Sequence, residues 1–412
     1  MNQNHRSFIV STGIMAALLF SVHSTRADEP AWLAPSWGPL SPSLHALGAI
    51  GNTSGDAESL AIGHHDPSRE DGSVQALELG LSLRLDWLEG FAVHALSYGA
   101  DEEWENEWEE AFLKVKDLPG GFEVRGGRML ARYGKLNAQH PHAWNFVDTP
   151  LPLGRFLGEH GLLFDGGDLT WLKLDVDMTV GLTLGYGKIV EHDHAHHHED
   201  DDHAAHDDDH DDHHHAEAIA YHDGVGYGRL FAQLRRDDFH TVEAGLSLAL
   251  GDEEAGRRMM VYGIDVTYAW RENGLQPGGR AFTWTTELLY RDVESGHTDE
   301  HADDHDHDKA DHADHHDDKA LPGGGEFGLY SEVVYTLNRT LDLGTRVGYV
   351  QGKHELGTEK HFRISPAVTA YLDPYRRTSL RAQYNYDDFA GGVDEHTIWL
   401  QLALSWGGPE VR

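Results

Sequence analysis

Residues 191–215 read EHDHAHHHEDDDHAAHDDDHDDHHH: eleven histidines, eleven carboxylates and three alanines. Seven further histidines lie in HTDEHADDHDHDKADHADHHDD at 297–318. Neutral imidazole binds Zn²⁺, Cu²⁺ and Ni²⁺, and carboxylates add charge and orient the ligands from behind. The candidate ligands of the first tract are His192, His194, His196, His197, His198, His203, His206, His210, His213, His214 and His215. Those of the second are His297, His301, His305, His307, His312, His315 and His316. At such close spacing an extended chain wraps a cation in many ways, so each site is weak and exchangeable. The expected ligand is zinc, with copper or nickel as alternatives, multiply bound and suited to capture and hand-over. The acids raise local cation concentration. They also favour protonated histidine, so binding should fade as pH falls through the imidazole range. The competing reading is a solvated, self-repelling acidic loop. Charge alone, or Ca²⁺ shared with lipopolysaccharide phosphates, would gain nothing from eighteen imidazoles.

Neither tract can bury a core, so other elements must position them. Outside the tracts the sequence alternates with period two, the mark of a strand. In ALELGLSLRL, Leu77, Leu79, Leu81, Leu83 and Leu85 share one face, and Glu78, Gly80, Ser82 and Arg84 the other. The pattern recurs in TVEAGLSLAL, MVYGIDVTYAW, FRISPAVTAYL and LRAQYNY. The apolar faces run for about ten residues, the length of a tilted transmembrane strand, with Tyr and Trp at their ends. The opposite face carries Gly and charges of both signs, as a water-filled lumen would. The fold class expected is therefore all-β, a transmembrane antiparallel β-barrel with long disordered His/Asp-rich outer loops. About sixteen strands begin near Ser43, Val74, Gly90, Glu107, Phe122, Leu163, Met178, Tyr227, His240, Arg257, Ala281, Glu326, Thr340, His361, Thr378 and Thr397. Short connections alternate with long polar ones, and both tracts fall in the long set, which faces outward in bacterial barrels. The last strand, TIWLQLALSW, ends on an aromatic but is followed by GGPEVR.

The remaining composition narrows the class. Arg6, an apolar run from Phe8 to Val22 and Thr25-Arg26-Ala27 read as a signal peptide over 1–27. Residues 28–42 read as a Pro-rich periplasmic lead-in with no room for a plug domain, and 43–412 as the barrel, with His-rich loops at 191–226 and 296–325. The chain has no cysteine, which removes thiolate chemistry. The net charge of −38 excludes nucleic acid as a partner. Expected partners are outer-membrane lipid and lipopolysaccharide, the barrel-assembly machinery and divalent metal ions; a homo-oligomer is compatible. No organic cofactor and no enzymatic motif is expected: there is no Ser-His-Asp spacing, zincin helix or phosphate loop.

A second candidate lies in YGKLNAQHPHAWNFVDTPLPLGRFLGEHG. His140, His142, Asp148 and His160 could form an ordered metal site near the channel mouth, in a loop folded into the lumen. The competing reading packs Trp144, Phe146 and Leu151 and leaves the histidines to cap backbone. His64 and His65 add weaker weight on an outer loop.

Residues 76–174, and most specifically GRMLARYGKLNAQHPHAWNFVDTPL at 127–151, resemble a family of porin-like outer-membrane proteins often described as zinc-regulated outer-membrane receptors. The resemblance implies metal-linked regulation. Residues and resemblance together lead to one expectation: a porin-like channel in the bacterial outer membrane whose loops capture divalent transition metal for passive uptake, with no plug domain to couple it to energised transport. A general diffusion porin and a surface metal buffer are the alternatives.

Overall fold

The computed structural model describes residues 30, 32–55, 60–98, 104–190, 219–298, 319–390, 392 and 394–411. Its strands are β1 (Leu40–Thr53), β2 (Gly72–Arg84), β3 (Leu88–Tyr98), β4 (Trp104–Leu118), β5 (Phe122–Leu130) and β6 (Leu163–Leu174). There follow β7 (Met178–Ile189), β8 (Tyr221–Arg235), β9 (His240–Glu253), β10 (Arg258–Arg271), β11 (Ala281–Val293), β12 (Gly296–Thr298) and β13 (Lys319–Leu321). The last are β14 (Gly324–Asn338), β15 (Leu341–Val350), β16 (His361–Tyr371), β17 (Thr378–Phe389) and β18 (Glu395–Gly407). All but β12 and β13 form one closed antiparallel barrel of sixteen strands, sealed where β18 pairs with β1, His45 facing Ser405. Closure leaves no unpaired edge, which the hydrocarbon layer requires.

The alternation read in the sequence sets the two faces. On β10, Tyr262 and Ile264 point out while Met259, Val261 and Asp265 are buried inside. Leucine and isoleucine make an exposed outer band. Trp104, Trp108, Tyr186, Tyr262 and Tyr290 flank it at one rim, and Trp87, Phe122, Phe239 and Trp284 at the other. This is the lipid-facing pattern of a transmembrane barrel with two aromatic girdles.

Seven of the expected strand starts coincide with observed ones: Phe122, Leu163, Met178, His240, Ala281, His361 and Thr378. The widest difference is β8, expected near Tyr227 and found from Tyr221, so the first His-rich loop is shorter than 191–226. Residues 221–226 broke the pattern because a bulge between His222 and Val225 puts Asp223 in the left-handed region at φ 57°. The barrel begins at Leu40 rather than Ser43. Pro42 is tolerated because pairing with β18 starts only at Ser43. The small hairpin β12–β13 was not expected; it extends the stem beyond β11 and β14.

Both tracts lie outside the described residues, apart from His297 and Thr298, whose backbones are in β12. Their roots, Ile189 and Tyr221 for one and Gly296 and Leu321 for the other, lie at the rim opposite the short turns. Protease added to intact cells should therefore cut within 191–215 and 299–318 and spare the strands. Cleavage there only after outer-membrane rupture would contradict this orientation.

Candidate functional site

Two connections at the tract rim turn into the lumen: 131–162 between β5 and β6, and 60–71 between β1 and β2. The longer is held at several points of the wall. Tyr133 donates its hydroxyl to the Val261 carbonyl on β10 at 3.3 Å, and Lys135 Nζ donates to Glu243 Oε1 on β9 at 2.6 Å. Its short helix, Leu151–Leu157, packs on β14 and β15. Leu151, Phe156 and Leu157 join Tyr330, Val350 and Leu289 in an apolar core inside the barrel. Glycines on those strands make room for it. A Cβ on Gly328 would stand 2.8 Å from Pro152 Cβ, and one on Gly348 would stand 3.2 Å from Leu151 Cγ. The sequence reading took this glycine-rich face as the lining of an open aqueous lumen. On β14 and β15 it is instead the seat of the inward loop, because a glycine track lets another element approach closely.

Asp148 is the loop's polar anchor and is fully buried. Its Oδ1 accepts from Arg346 Nη2 at 2.5 Å and Gln383 Nε2 at 2.6 Å; its Oδ2 accepts from Arg363 Nη1 and Asn385 Nδ2, each at 2.8 Å. Burial opposes the charge, but Arg346, Arg363 and Arg69 outweigh it and hold the carboxyl well below the usual carboxylate range. Arg69, from the shorter connection, donates to the Leu60 carbonyl at 2.7 Å and stacks on Trp399.

The opposite wall, β1 to β4, carries a strip of histidines and glutamates. Glu105, Glu107 and Glu109 alternate with outward-facing Trp104 and Trp108. Then Val93 pairs with Glu110 while His94 pairs with Trp108, so Glu109 is an extra bulge residue and both it and Glu110 are buried in the lumen. His140 fits between them: Nδ1 lies 2.8 Å from Glu109 Oε2 and Nε2 lies 2.8 Å from Glu110 Oε2. Toward the tract rim, His65 Nε2 is 2.8 Å from Glu109 Oε1, and His64 Nε2 is 3.0 Å from Glu105 and 3.4 Å from Glu107. The His64 and His160 rings lie 4.0 Å apart. Toward the other rim, His142 Nδ1 bonds Glu78 and its Nε2 lies 3.5 Å from Glu410. The His142 ring stacks on His45 at 3.7 Å, and His45 Nε2 is 3.4 Å from Glu410. The strip thus runs from the tract rim to the base of β1. It attracts positive charge: burial by itself would lower the His65 pKa, but Glu109, Glu107 and Glu78 raise it to about 8.

The four inner-loop residues expected to share one site do not. Asp148 belongs to the arginine clamp, because its carboxylate is saturated by four donors on β15 to β17. His140, His142 and His160 fall at three successive levels of the strip. The packing half of the competing reading holds for Phe146 and Leu151, both buried. Its capping half does not for His140 and His142, which face wall carboxylates. Sequence reasoning missed His45, Glu110 and Glu410 as partners. Glu410 sits in GGPEVR, which turns back into the barrel: Val411 is buried and its N–H donates to Ser82 Oγ. A signal for β4 was present in ENEWEE, where glutamates repeat at period two on a strand whose other face is tryptophan. Ser405 Oγ lies 3.0 Å from His45 Nδ1, which brings hydrolase-type residues together across the barrel seam. There, however, Glu410 lies against two imidazoles, those of His45 and His142, rather than serving one.

The closed sixteen-strand antiparallel barrel has the fold of bacterial outer-membrane porins. The high-pH structure of Pseudomonas putida OprB superposes with a TM-score of 0.55 at 10% identity, covering 89% of this chain and 94% of that one. An anion-selective porin from Comamonas acidovorans gives 0.54 at 10% identity, covering 89% and 99%. The trimer form of Vibrio cholerae OmpT gives 0.51 at 12% identity, also covering 89% and 99%. The chain is accordingly an outer-membrane protein of porin-like fold. No protein-family model matches it, so the zinc-regulated receptor name has no support from that side. An uncharacterized protein of Aquifex aeolicus (strain VF5) is 45% identical over 64 residues, which span 16% of this chain and 13% of that protein.

Proposed function

We propose that the protein is a passive outer-membrane channel for divalent transition metal, zinc foremost, whose histidine tracts capture the ion at the outer mouth. The observation that carries this reading is positional: both tracts are rooted on the rim where the histidine–glutamate strip begins. A barrel has no energy source of its own, so solute runs down its gradient. Tract imidazoles hold metal loosely enough to release it, and the carboxylates concentrate it. A trimer, the form in which one OmpT structure was solved, would set three mouths side by side and share their acidic field.

Binding is tested by equilibrium dialysis against Zn²⁺. The protein should bind several ions weakly at neutral pH and lose most of them near about pH 5, as imidazoles protonate. Replacing the tract histidines by asparagine, with every carboxylate kept, should remove this weak class. Its survival would assign it to the carboxylates and sink the reading. Unfolding would not explain the acid loss. The depressed pKa of Asp148 means that its clamp is present above the unfolded carboxylate pKa and is lost only as pH falls through the lower folded value. The inward loop therefore stays anchored at pH 5.

A further inference from the structure

We propose that the lumenal strip is a file of three divalent-transition-metal sites. The outer site is His64, His65 and Glu107, the central site Glu78, Glu109 and His140, and the inner site His45, His142 and Glu410. In each group one ligand atom from every residue lies within 4.8 Å of the other two. Donors bound to a tetrahedral zinc stand roughly 3–3.5 Å apart, so small side-chain movements complete each site.

Four observations favour a metal over simple loop anchoring. First, His140 presents both ring nitrogens to carboxylates at 2.8 Å, and both nitrogens of His142 also face carboxylates. A neutral imidazole donates through only one nitrogen. In each the second nitrogen keeps its lone pair beside a carboxylate oxygen, two ligand atoms that a cation can bridge. Second, Glu78 is fully buried, yet its Oε1 has no hydrogen-bond partner among the described residues. A buried carboxylate oxygen left so is costly, and a cation satisfies it. Third, a cavity of about 60 Å³, lined by His65, Glu107, Glu109, His140 and His160 among others, adjoins the outer and central groups. That is room for a bound ion's water. Fourth, Glu78 and Glu109 form their ion pairs with histidines, whereas Asp148 on the other side of the lumen is met by two guanidinium groups. Mixed imidazole and carboxylate donors select zinc, nickel or copper over calcium and magnesium.

The inference deepens the proposed function, since it gives a captured ion successive resting places inside the barrel. Its test removes the tracts, so the two ideas fail separately. The full chain with all eighteen tract histidines replaced by asparagine, folded in detergent, should still retain up to three exchangeable Zn²⁺ in equilibrium dialysis at micromolar metal. His64→Ala, His140→Gln and His45→Ala should each lose one. Co²⁺ in place of Zn²⁺ should give visible absorption that Zn²⁺ abolishes. Resistance to unfolding in SDS without heating reports an intact barrel. Should His45→Ala fail that check, Glu410→Gln, beyond the last strand, removes the inner site instead. Absence of retained Zn²⁺ in the tract-free parent, or folded single variants that all hold as much as the parent, would overturn the proposal and leave the strip as a loop anchor.

Discussion

Replacing Asp148 by alanine should release the inward loop from the β15–β17 wall and raise single-channel conductance several-fold. The carboxylate neutralises Arg346 and Arg363, both buried, and also accepts from Gln383 and Asn385. Removing one partner of a buried ion pair costs about 3–5 kcal/mol, because the other charge is left uncompensated. The barrel should survive, since its sixteen strands close without the loop. Residues 144–150 should detach from that wall, while His140 and His142 stay on the β2 and β4 carboxylates and the helix Leu151–Leu157 stays seated in its apolar core. Planar-bilayer conductance reads the opening, and heat-dependent mobility in SDS reads the barrel. Asp148→Asn keeps the shape and one acceptor oxygen and should have a smaller effect. Unchanged conductance in a folded Asp148→Ala protein would mean that the clamp does not hold the loop across the conducting path.

The barrel was legible because its information is local. Alternation along ten residues, as in Leu77 to Leu85, reports one strand and its two faces without any knowledge of its neighbours. The closing pair β1–β18 followed from the strand count alone. The inward loop was legible as a segment, since aromatic and proline residues in 133–161 are wasted on an exposed loop. Its partners were not. Asp148 meets Arg363 across 215 residues and Asn385 across 237. Nothing near Asp148 in sequence marks those strands rather than others. Glu410 was hidden differently: GGPEVR looked like a displaced terminus, and only the folded chain turns it back beside His45 and His142. The bulge at Glu109 was invisible because one extra residue in a strand reverses the faces read from period two.

The histidine tracts lead to the test of the central claim. Weak sites at a channel mouth matter only when metal is scarce. Then entry is limited by how often an ion reaches the lumen, and a high local concentration raises that rate. When metal is ample the lumen limits flux, and the tracts add nothing. The measurement is Zn²⁺ entry into proteoliposomes holding either the full chain or one lacking 191–215 and 299–318, each at micromolar and millimolar Zn²⁺, with a neutral sugar as a control for the barrel. Deletion should slow Zn²⁺ entry several-fold at micromolar metal, leave it unchanged at millimolar metal, and leave sugar flux unchanged throughout. Equal Zn²⁺ entry with and without the tracts at micromolar metal, sugar flux being intact, would contradict capture for uptake and leave a general porin or a surface metal buffer.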